Sequence, residues 1–214
     1  MTLEEVIKNR RSIRKFSDKK VDKEIIEKII EAGMHAPSHC DTQGWKFIVI
    51  DDENVKNKIF EAGGSFVIKN APYGILTLYN TALSDNLEYR DWIIDGAVAV
   101  ENILLTIHDL GLGGCCICHL PRKKNLKKIL NIQEPYTPIT YIVFGYPQVP
   151  PATVPRKYQL NEIYSVNKFI WPKTNIPSKV RLRRFFRKIY FYLPTFLKKL
   201  IYPIVDKFVK KFSN

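Results

Sequence analysis

Three arginines and a serine stand close together near the beginning of the chain, at Arg10, Arg11, Ser12 and Arg14. A guanidinium group presents paired N–H donors that match the oxygens of a phosphate, and a serine hydroxyl adds a further donor. This group of residues therefore favours capture of a phosphate-bearing ligand. A solvated basic surface is the alternative, because arginine and lysine side chains usually lie in water.

A second candidate is the polar turn at residues 36–45, which has the sequence APSHCDTQGW. The apolar run that begins at its last residue, WKFIVI, predicts a buried strand. Loops on a rigid scaffold often present backbone and side-chain groups to a ligand. The turn is therefore a candidate for ligand contact, and a simple connection from helix to strand is the alternative.

A third candidate is the glycine-rich stretch at residues 111–114, which leads into CCICH at residues 115–119. Small residues there would let a flat ligand approach the backbone. A metal site is the alternative for the thiols, but the chain lacks the two C-x-x-C pairs of a zinc site, so we expect no metal. We expect most of these cysteines to act as small buried hydrophobic residues. A fourth candidate is GYP at residues 145–147, with the basic pair Arg156-Lys157 further on.

The four candidates need a folded scaffold, and a composition that is 45% hydrophobic and 12% aromatic excludes a wholly disordered chain. Apolar spacing predicts ordinary packed helices over residues 2–9 and from residue 22, and a long, central, apolar helix over residues 92–110. Further strands and helices are predicted as follows: strands at residues 45–50, 73–79 and 140–144, helices at residues 53–62 and 123–130. Single strands between helices predict an α+β fold, with a central sheet flanked by helices.

In this order, the four segments resemble the nitroreductase family of flavin enzymes, over residues 1–165. The family pattern R-[RH]-S-x-[RK]-x-F is matched at residues 10–16, and A-P-S-x-x-N-x-Q-P-W is matched at residues 36–45 except at two positions. The helix motif D-x-G/A-x-A-x-x-N is matched at residues 95–102, and G-L-G and G-Y-P follow it. The resemblance implies the nitroreductase fold, in which helices flank a mixed or antiparallel sheet.

The resemblance also implies a homodimer that contains FMN, with each flavin at the subunit interface. Arg10, Arg11, Ser12 and Arg156 would bind the FMN phosphate. Arg14 would approach the pyrimidine edge of the flavin, where the reduced ring carries negative charge. On the turn, the residues implied to contact a flavin, in some cases that of the partner subunit, are Pro37, Ser38, His39, Asp41 and Gln43. On the segment that faces flavin N5, the implied contact residues are Ile117, Cys118 and His119.

Two of the implied contact regions depart from the family pattern. Asp41 stands where the family has asparagine, so a group that can donate a hydrogen bond is replaced by a carboxylate that only accepts. Gly44 replaces proline, which loosens the turn. Cys118 and His119 replace residues that are commonly small, which would narrow the pocket over N5.

By this resemblance the chain is an enzyme, an FMN-dependent oxidoreductase that takes hydride from NADH or NADPH. It would pass the hydride to a nitroaromatic- or quinone-like acceptor in a ping-pong cycle. The flavin carries the chemistry in this family, so no residue is identified as a catalytic acid or base. The departures leave a second hypothesis open, a flavin-binding, membrane-associated accessory protein without turnover.

Charge is divided unevenly along the chain, whose formal net charge is +13 over 214 residues. Residues 168–214 contain 13 basic residues and one acidic residue, a net +12, which leaves +1 for residues 1–167. We therefore expect an FMN-binding domain at residues 1–165 and a basic, amphipathic, helical tail at residues 166–214.

The tail interleaves its cations with aromatic and aliphatic residues, and its longest uncharged run, residues 189–197, is nine residues long. A spanning helix needs about 20 apolar residues, so we expect no spanning segment. The tail could instead lie on an anionic membrane surface, pack around the partner subunit or bind single-stranded nucleic acid. Pro194, Pro203 and the apolar content disfavour nucleic acid.

The location expected from the sequence is the cytoplasm. The start of the chain is charged and lacks the apolar core of a signal peptide, and the chain has only 4 cysteines. In the membrane alternative the tail would lie on the inner face of the membrane.

Overall fold

A computed structural model describes residues 1–86, 88–150, 154–173 and 175–194, together with residues 197 and 201. The strands are β1 (Trp45–Ile50), β2 (Tyr73–Asn80), β3 (Gly113–Ile117) and β4 (Tyr136–Gly145). They form one antiparallel sheet in the order β1-β2-β4-β3. The helices are α1 (Leu3–Asn9), α2 (Lys23–Met34), α3 (Glu53–Glu61), α4 (Phe66–Asn70), α5 (Asp91–Asp109), α6 (Lys123–Leu130) and α7 (Ser178–Tyr192). The predicted α+β fold, with helices flanking a central sheet, is confirmed.

Helices cover both faces of the sheet. On one face, Ile103 and Ile107 of α5 and Ile29 of α2 pack with Ile75 of β2 and Phe144 of β4. The opposite face is covered by α3, α4 and α6, through a second cluster formed by Ile59, Ile68, Leu126, Leu76 and Val143. Because β2 is buried on both faces, its sequence is a continuous apolar run rather than an alternating one.

The structure differs from the sequence prediction at four elements. β3 and the five-residue α4 were not predicted, because glycines and cysteines carry little strand signal and α4 is too short for helical periodicity. β4 is longer than predicted, since it begins at Tyr136. α1, predicted as an ordinary packed helix, packs only in part: Val6 is buried, but Leu3 and Ile7 are 69% and 51% exposed.

The part of the chain after β4 has less regular structure. Residues 154–173 contain one short 3-10 helix, Leu160–Glu162, and α7 follows it. The predicted helical character of the tail is thus seen in α7, whereas residues 202–214 lie outside the described residues. Among the described helices, none combines the length and the apolar character needed to cross a bilayer.

Candidate functional site

Residues 10–17, here called the basic segment, run from the end of α1 along the outer edge of β3. The Ile13 N–H donates to the Gly114 carbonyl at 3.0 Å, and the Ser17 N–H donates to the Tyr146 carbonyl at 2.9 Å. The fold therefore brings together three segments that the sequence analysis singled out separately, namely the arginines, the glycine-rich stretch and GYP.

The glycines beside the basic segment make this close approach possible. A Cβ atom at Gly113 would lie 2.7–2.8 Å from side-chain carbons of Ile13, and one at Gly114 would lie 3.1 Å from Ile107. At both glycines the space that a side chain would need is filled by other side chains of the chain, and the approach of a flat ligand to this stretch stays a prediction. Gly111, at φ 73°, follows the end of α5, where a left-handed residue commonly closes a helix.

The arginines of the basic segment have different partners. Arg10 Nη2 lies 3.2 Å from Glu101 Oε1 of α5. Arg11 Nη1 donates to the Arg10 carbonyl at 2.8 Å, and Arg14 Nη1 donates to the Ser12 carbonyl at 3.3 Å. The Nε atoms of Arg10 and Arg11 are buried and have no hydrogen-bond partner among the described residues. Both guanidinium groups therefore retain donor capacity that suits an anionic ligand.

Two titratable groups lie within the field of these cations. Burial lowers the pKa of His108, and the charges of Arg10 and Arg11 lower it further. Burial raises the pKa of the Cys115 thiol, while the charge of Arg14 opposes that rise. The surroundings of the basic segment thus disfavour added positive charge and favour negative charge.

The turn at residues 36–45 has a strained backbone. Cys40, Asp41 and Gln43 have positive φ angles of 46°, 56° and 46°. Each such residue costs about 1–2 kcal/mol when it is not glycine. A conformation of this cost persists only when the surroundings enforce it.

A buried network centred on Asp95 of α5 fixes the turn. The His39 N–H donates to both Asp95 carboxylate oxygens, at 3.1 and 3.2 Å, and the Tyr79 hydroxyl donates to Asp95 Oδ2 at 2.6 Å. Thr42 Oγ1 lies 2.6 Å from the Tyr79 hydroxyl oxygen. Burial and the hydrogen bond to Asp95 raise the pKa of Tyr79. The sequence contained one signal of this role, a lone acid inside an otherwise apolar stretch of the long helix.

Three predicted contact residues on the turn bond to one another. The Gln43 N–H donates to Ser38 Oγ at 3.0 Å, and Gln43 Nε2 donates to Asp41 Oδ1 at 2.7 Å. Asp41 and His39 are exposed. The side chain of Asp41 is thus oriented by the amide of Gln43, and its carboxylate remains accessible.

A cavity of about 310 Å³ lies beside the turn and the first half of α5. Its lining includes the predicted residues Pro37, Ser38 and His39, together with residues that the sequence analysis did not single out: Asn86, Tyr89, Asp91, Ile94, Asp95 and Val98. The accessible wall is mostly apolar, and the lining residues that carry polar side-chain groups are Ser38, His39, Asn86, Tyr89, Asp91 and Asp95.

Three potential metal-ligand groups meet at the rim of this cavity, where His39, Asp85 and Asp91 place one ligand atom each within 4.8 Å of one another. His39 Nε2 lies 3.3 Å from Asp85 Oδ1. Asp91 is already engaged, since it accepts hydrogen bonds from the Ser84 hydroxyl and from backbone N–H groups including that of Asn86. These bonds, that of Ser84 foremost, lower the pKa of Asp91. Asp91 thus anchors the loop before α5.

The predicted residues Ile117, Cys118 and His119 lie at the far end of β3 from the basic segment. Ile117 is buried and its carbonyl accepts a hydrogen bond from Thr140 Oγ1 at 3.3 Å, whereas Cys118 is exposed. Cys118 lies four positions after Gly114, which is about 13 Å along a strand. A ligand that touched both ends of β3 would be elongated.

Arg156 is exposed in the extended stretch before the short helix at Leu160–Glu162. The described contacts do not join it to the basic segment. Its assignment to the phosphate stays a prediction.

Comparison with known proteins agrees with this geometry. A sequence model of the nitroreductase family matches residues 7–70 and 60–146. A protein of Methanothermobacter thermautotrophicus named as an NADH dehydrogenase/NAD(P)H nitroreductase is 36% identical over 157 residues, which are 72% of this chain and 81% of that protein.

Solved structures show the same relation. An NADH dehydrogenase/NAD(P)H nitroreductase from Parabacteroides distasonis is 31% identical, with a TM-score of 0.70 over 78% of this chain and 99% of that one. An FMN-dependent nitroreductase from Clostridium difficile is 30% identical, with a TM-score of 0.68 over 77% of this chain and 98% of that one. The order of the motifs, the sheet, the long central helix and these matches lead to one conclusion: this chain belongs to the nitroreductase family of oxidoreductases.

Proposed function

We propose that the chain is an FMN-dependent oxidoreductase that takes hydride from NADH or NADPH. It passes the hydride to a nitroaromatic- or quinone-like acceptor in a ping-pong cycle. The observation that carries the proposal is the basic segment docked along β3, with donor capacity left over on its arginines, in a chain of this family. The naming of the Clostridium difficile relative as FMN-dependent supports the choice of cofactor.

The residues of the basic segment fit the phosphate end of FMN. The buried Nε atoms of Arg10 and Arg11 have no acceptor among the described residues. The positive charges of these arginines also favour a bound anion at this place. Arg10, Arg11 and Ser12 would hold the phosphate, and Arg156 would join them from the chain after β4. Arg14 would stabilise negative charge at the pyrimidine edge of the ring.

The remaining predicted residues fit the ring end. When bound, FMN would supply a two-electron centre that accepts and donates hydride at N5. Ile117, Cys118 and His119 would line the N5 side from the end of β3. The turn would contact the flavin, in part that of the partner subunit, through Pro37, Ser38, His39, Asp41 and Gln43.

We further propose that the protein is a homodimer whose flavin-binding part is residues 1–165. Apolar side chains on α1, α2 and α5 support it: Leu3, Ile7, Met34 and Ile94 are all more than half exposed in the single chain. Burial of such side chains against a second copy would remove apolar surface from water. Light scattering after gel filtration measures the mass directly, and a monomer that retains flavin would contradict this part of the proposal.

Spectroscopy of the purified full chain tests the activity. We expect a yellow protein, from which denaturation releases a compound with the mass of FMN rather than FAD. Anaerobic addition of NADH or NADPH should bleach the flavin absorbance, and a quinone or nitroaromatic compound should restore it. Double-reciprocal plots at several acceptor concentrations should be parallel if the cycle is ping-pong.

The differences from the family pattern at Asp41 and at Cys118-His119 motivate the second hypothesis, a flavin-binding accessory protein without turnover. The same experiment tests it. Bound flavin that neither coenzyme reduces would support a binding protein without turnover. The absence of flavin after expression with riboflavin would contradict both hypotheses.

A further inference from the structure

The helix α7 presents an apolar stripe to solvent. Leu182, Phe185, Phe186 and Ile189 are between 42% and 59% exposed, and their spacing of three to four residues places them on one face of the helix. Four large apolar side chains in one row are more than the isolated exposed residues of an ordinary surface. An exposed row of this kind is typical of a surface that contacts a partner or a membrane.

The same helix is strongly cationic. Residues 178–192 contain six lysines and arginines and no acidic residue. Arg181 and Arg184 are exposed, so the helix presents positive charge as well as its apolar stripe. A helix that combines aromatic and aliphatic residues with many cations is typical of segments that lie in the plane of a membrane surface.

A second cationic helix adjoins α7. The Arg122 guanidinium lies 4.7 Å from the centre of the Tyr192 ring, which joins the end of α7 to the beginning of α6. Three lysines of α6 are exposed, namely Lys123, Lys124 and Lys128. Positive charge therefore continues from the tail onto the helical layer of the folded domain.

We infer that α7, together with the exposed cations of α6, binds the surface of an anionic lipid bilayer. The apolar stripe would enter the interface between headgroups and acyl chains, and the cations would contact the headgroups. This surface consists of other residues than the basic segment. It would attach the proposed oxidoreductase to a membrane.

Charge decides between this partner and two others. A second copy of the chain carries the same +12 in its tail and +1 elsewhere, so it offers no net negative charge to this helix. A nucleic acid would match the cations but would leave the Leu182, Phe186 and Ile189 stripe without an apolar environment. An anionic bilayer supplies both.

Vesicle sedimentation with the full chain tests the inference. Vesicles of 30% phosphatidylglycerol in phosphatidylcholine should pellet the protein, and pure phosphatidylcholine vesicles should not. Raising the salt from about 0.1 M to 1 M should release part of it, because the screening length shortens from about 10 Å to about 3 Å. The double variant R181Q/R184Q should bind about 20- to 30-fold more weakly. The double variant F185S/F186S should bind at least tenfold more weakly.

Matched controls separate lipid binding from general effects. K20Q/K28Q removes two exposed lysines outside α6 and α7 and should keep wild-type binding. All variants should keep the flavin content and the oligomeric mass of the unchanged protein. Equal binding to neutral vesicles, or unchanged binding by F185S/F186S, would overturn the inference. So would loss of the dimer in F185S/F186S without lipid, which would assign the stripe to a second copy. Tighter binding of a single-stranded 20-mer than of vesicles would also overturn it.

Discussion

At the scale of single residues, the Arg10 guanidinium has an ion-pair partner and still has an unused hydrogen-bond donor. Its Nη2 atom lies 3.2 Å from the half-exposed carboxylate of Glu101, whereas its Nε atom is buried without an acceptor. An ion pair with an exposed partner contributes at most about 1 kcal/mol to stability. A phosphate that engages the same guanidinium would form stronger, charge-assisted bonds, so ligand binding explains this arginine better than folding does.

Changing Arg10 and Arg156 together to alanine should release the flavin. Each lost bond to a charged group costs about 1.5–3 kcal/mol, so the double variant should bind FMN roughly 10²- to 10⁴-fold more weakly. Flavin content after dialysis and a titration with FMN measure the effect. Full flavin content in the double variant would show that the phosphate lies elsewhere.

The carboxylate of Asp41 should influence the redox potential of the proposed flavin. A negative charge near the ring disfavours the anionic reduced form, so Asp41→Asn should raise the midpoint potential, by on the order of 20 mV for each kcal/mol of lost repulsion. Titration with reference dyes measures the potential. An unchanged value would place Asp41 away from the ring.

His108 should make stability depend on pH. Its pKa is lowered in the folded state, by burial first and then by Arg10 and Arg11, whereas in the unfolded chain it is about 6.5. The unfolded chain therefore binds the proton more readily, so this contribution to stability is present above about pH 6.5 and is lost as the pH falls below it. Urea unfolding at pH 7.5 and 5.5 measures the free energy of unfolding, and its decrease between these pH values should be smaller in His108→Gln than in the unchanged protein. Equal losses would mean that His108 does not contribute.

At the scale of elements, α5 is the scaffold of the site. Its Asp95 holds the strained turn through His39 and Tyr79, and its Glu101 pairs with Arg10 of the basic segment. The two acids are six residues apart, which is about 9 Å along a helix. One rigid helix therefore fixes the distance between two segments that are remote in sequence.

The contact between the basic segment and β3 should be sensitive to one methyl group. Gly113→Ala brings a Cβ to within 2.7–2.8 Å of Ile13 carbons close to its backbone. Overpacking of this kind costs about 1–3 kcal/mol, and it should weaken flavin binding because the arginines move with Ile13. Gly114→Ala is the matched control, since its new Cβ meets Ile107 at the milder distance of 3.1 Å. Equal effects of the two substitutions would contradict this role for Gly113.

The sequence predicted best the elements with strong periodicity. β1 and α6 were predicted at their observed bounds, and α5 at its bounds to within a residue, because the spacing of apolar residues in each sequence matches the period of the element. β3 was missed, since its strand character comes from pairing with β4 and not from its glycines and cysteines. The partners of the turn could not be predicted either. Bonds such as that of Tyr79 to Asp95 depend on tertiary packing.

At the scale of the whole molecule, two regions of different physical character are joined. The first 167 residues are nearly neutral and include the layered core, which ends with β4, whereas the rest carries +12 and contributes the exposed helix α7. Exposed apolar groups occur in both regions, on α1 and on α7. We assign the former to a second copy and the latter to lipid, because only α7 combines them with an excess of cations.

A charge introduced on α1 should separate the proposed dimer. Ile7 is 51% exposed, so Ile7→Glu should leave the single chain folded but place a carboxylate in the apolar contact. We expect a monomer in light scattering and, if the flavin lies between subunits, loss of flavin at the same time. Val49→Glu, at an exposed position of β1, is the control and should leave the mass unchanged. A dimeric Ile7→Glu protein would exclude α1 from the interface.

The two edges of the sheet are protected by different means, and this bears on how the protein behaves when it is concentrated. The basic segment pairs with the outer edge of β3 at Gly114, near the start of the strand, whereas β1 has β2 as its one strand neighbour among the described residues. An open edge can template fibril growth, and WKFIVI is apolar at every position except Lys46, which is exposed. If β1 strands from many molecules stacked in register, their Lys46 side chains would lie side by side and their positive charges would repel. We therefore expect Lys46 to oppose aggregation through this edge.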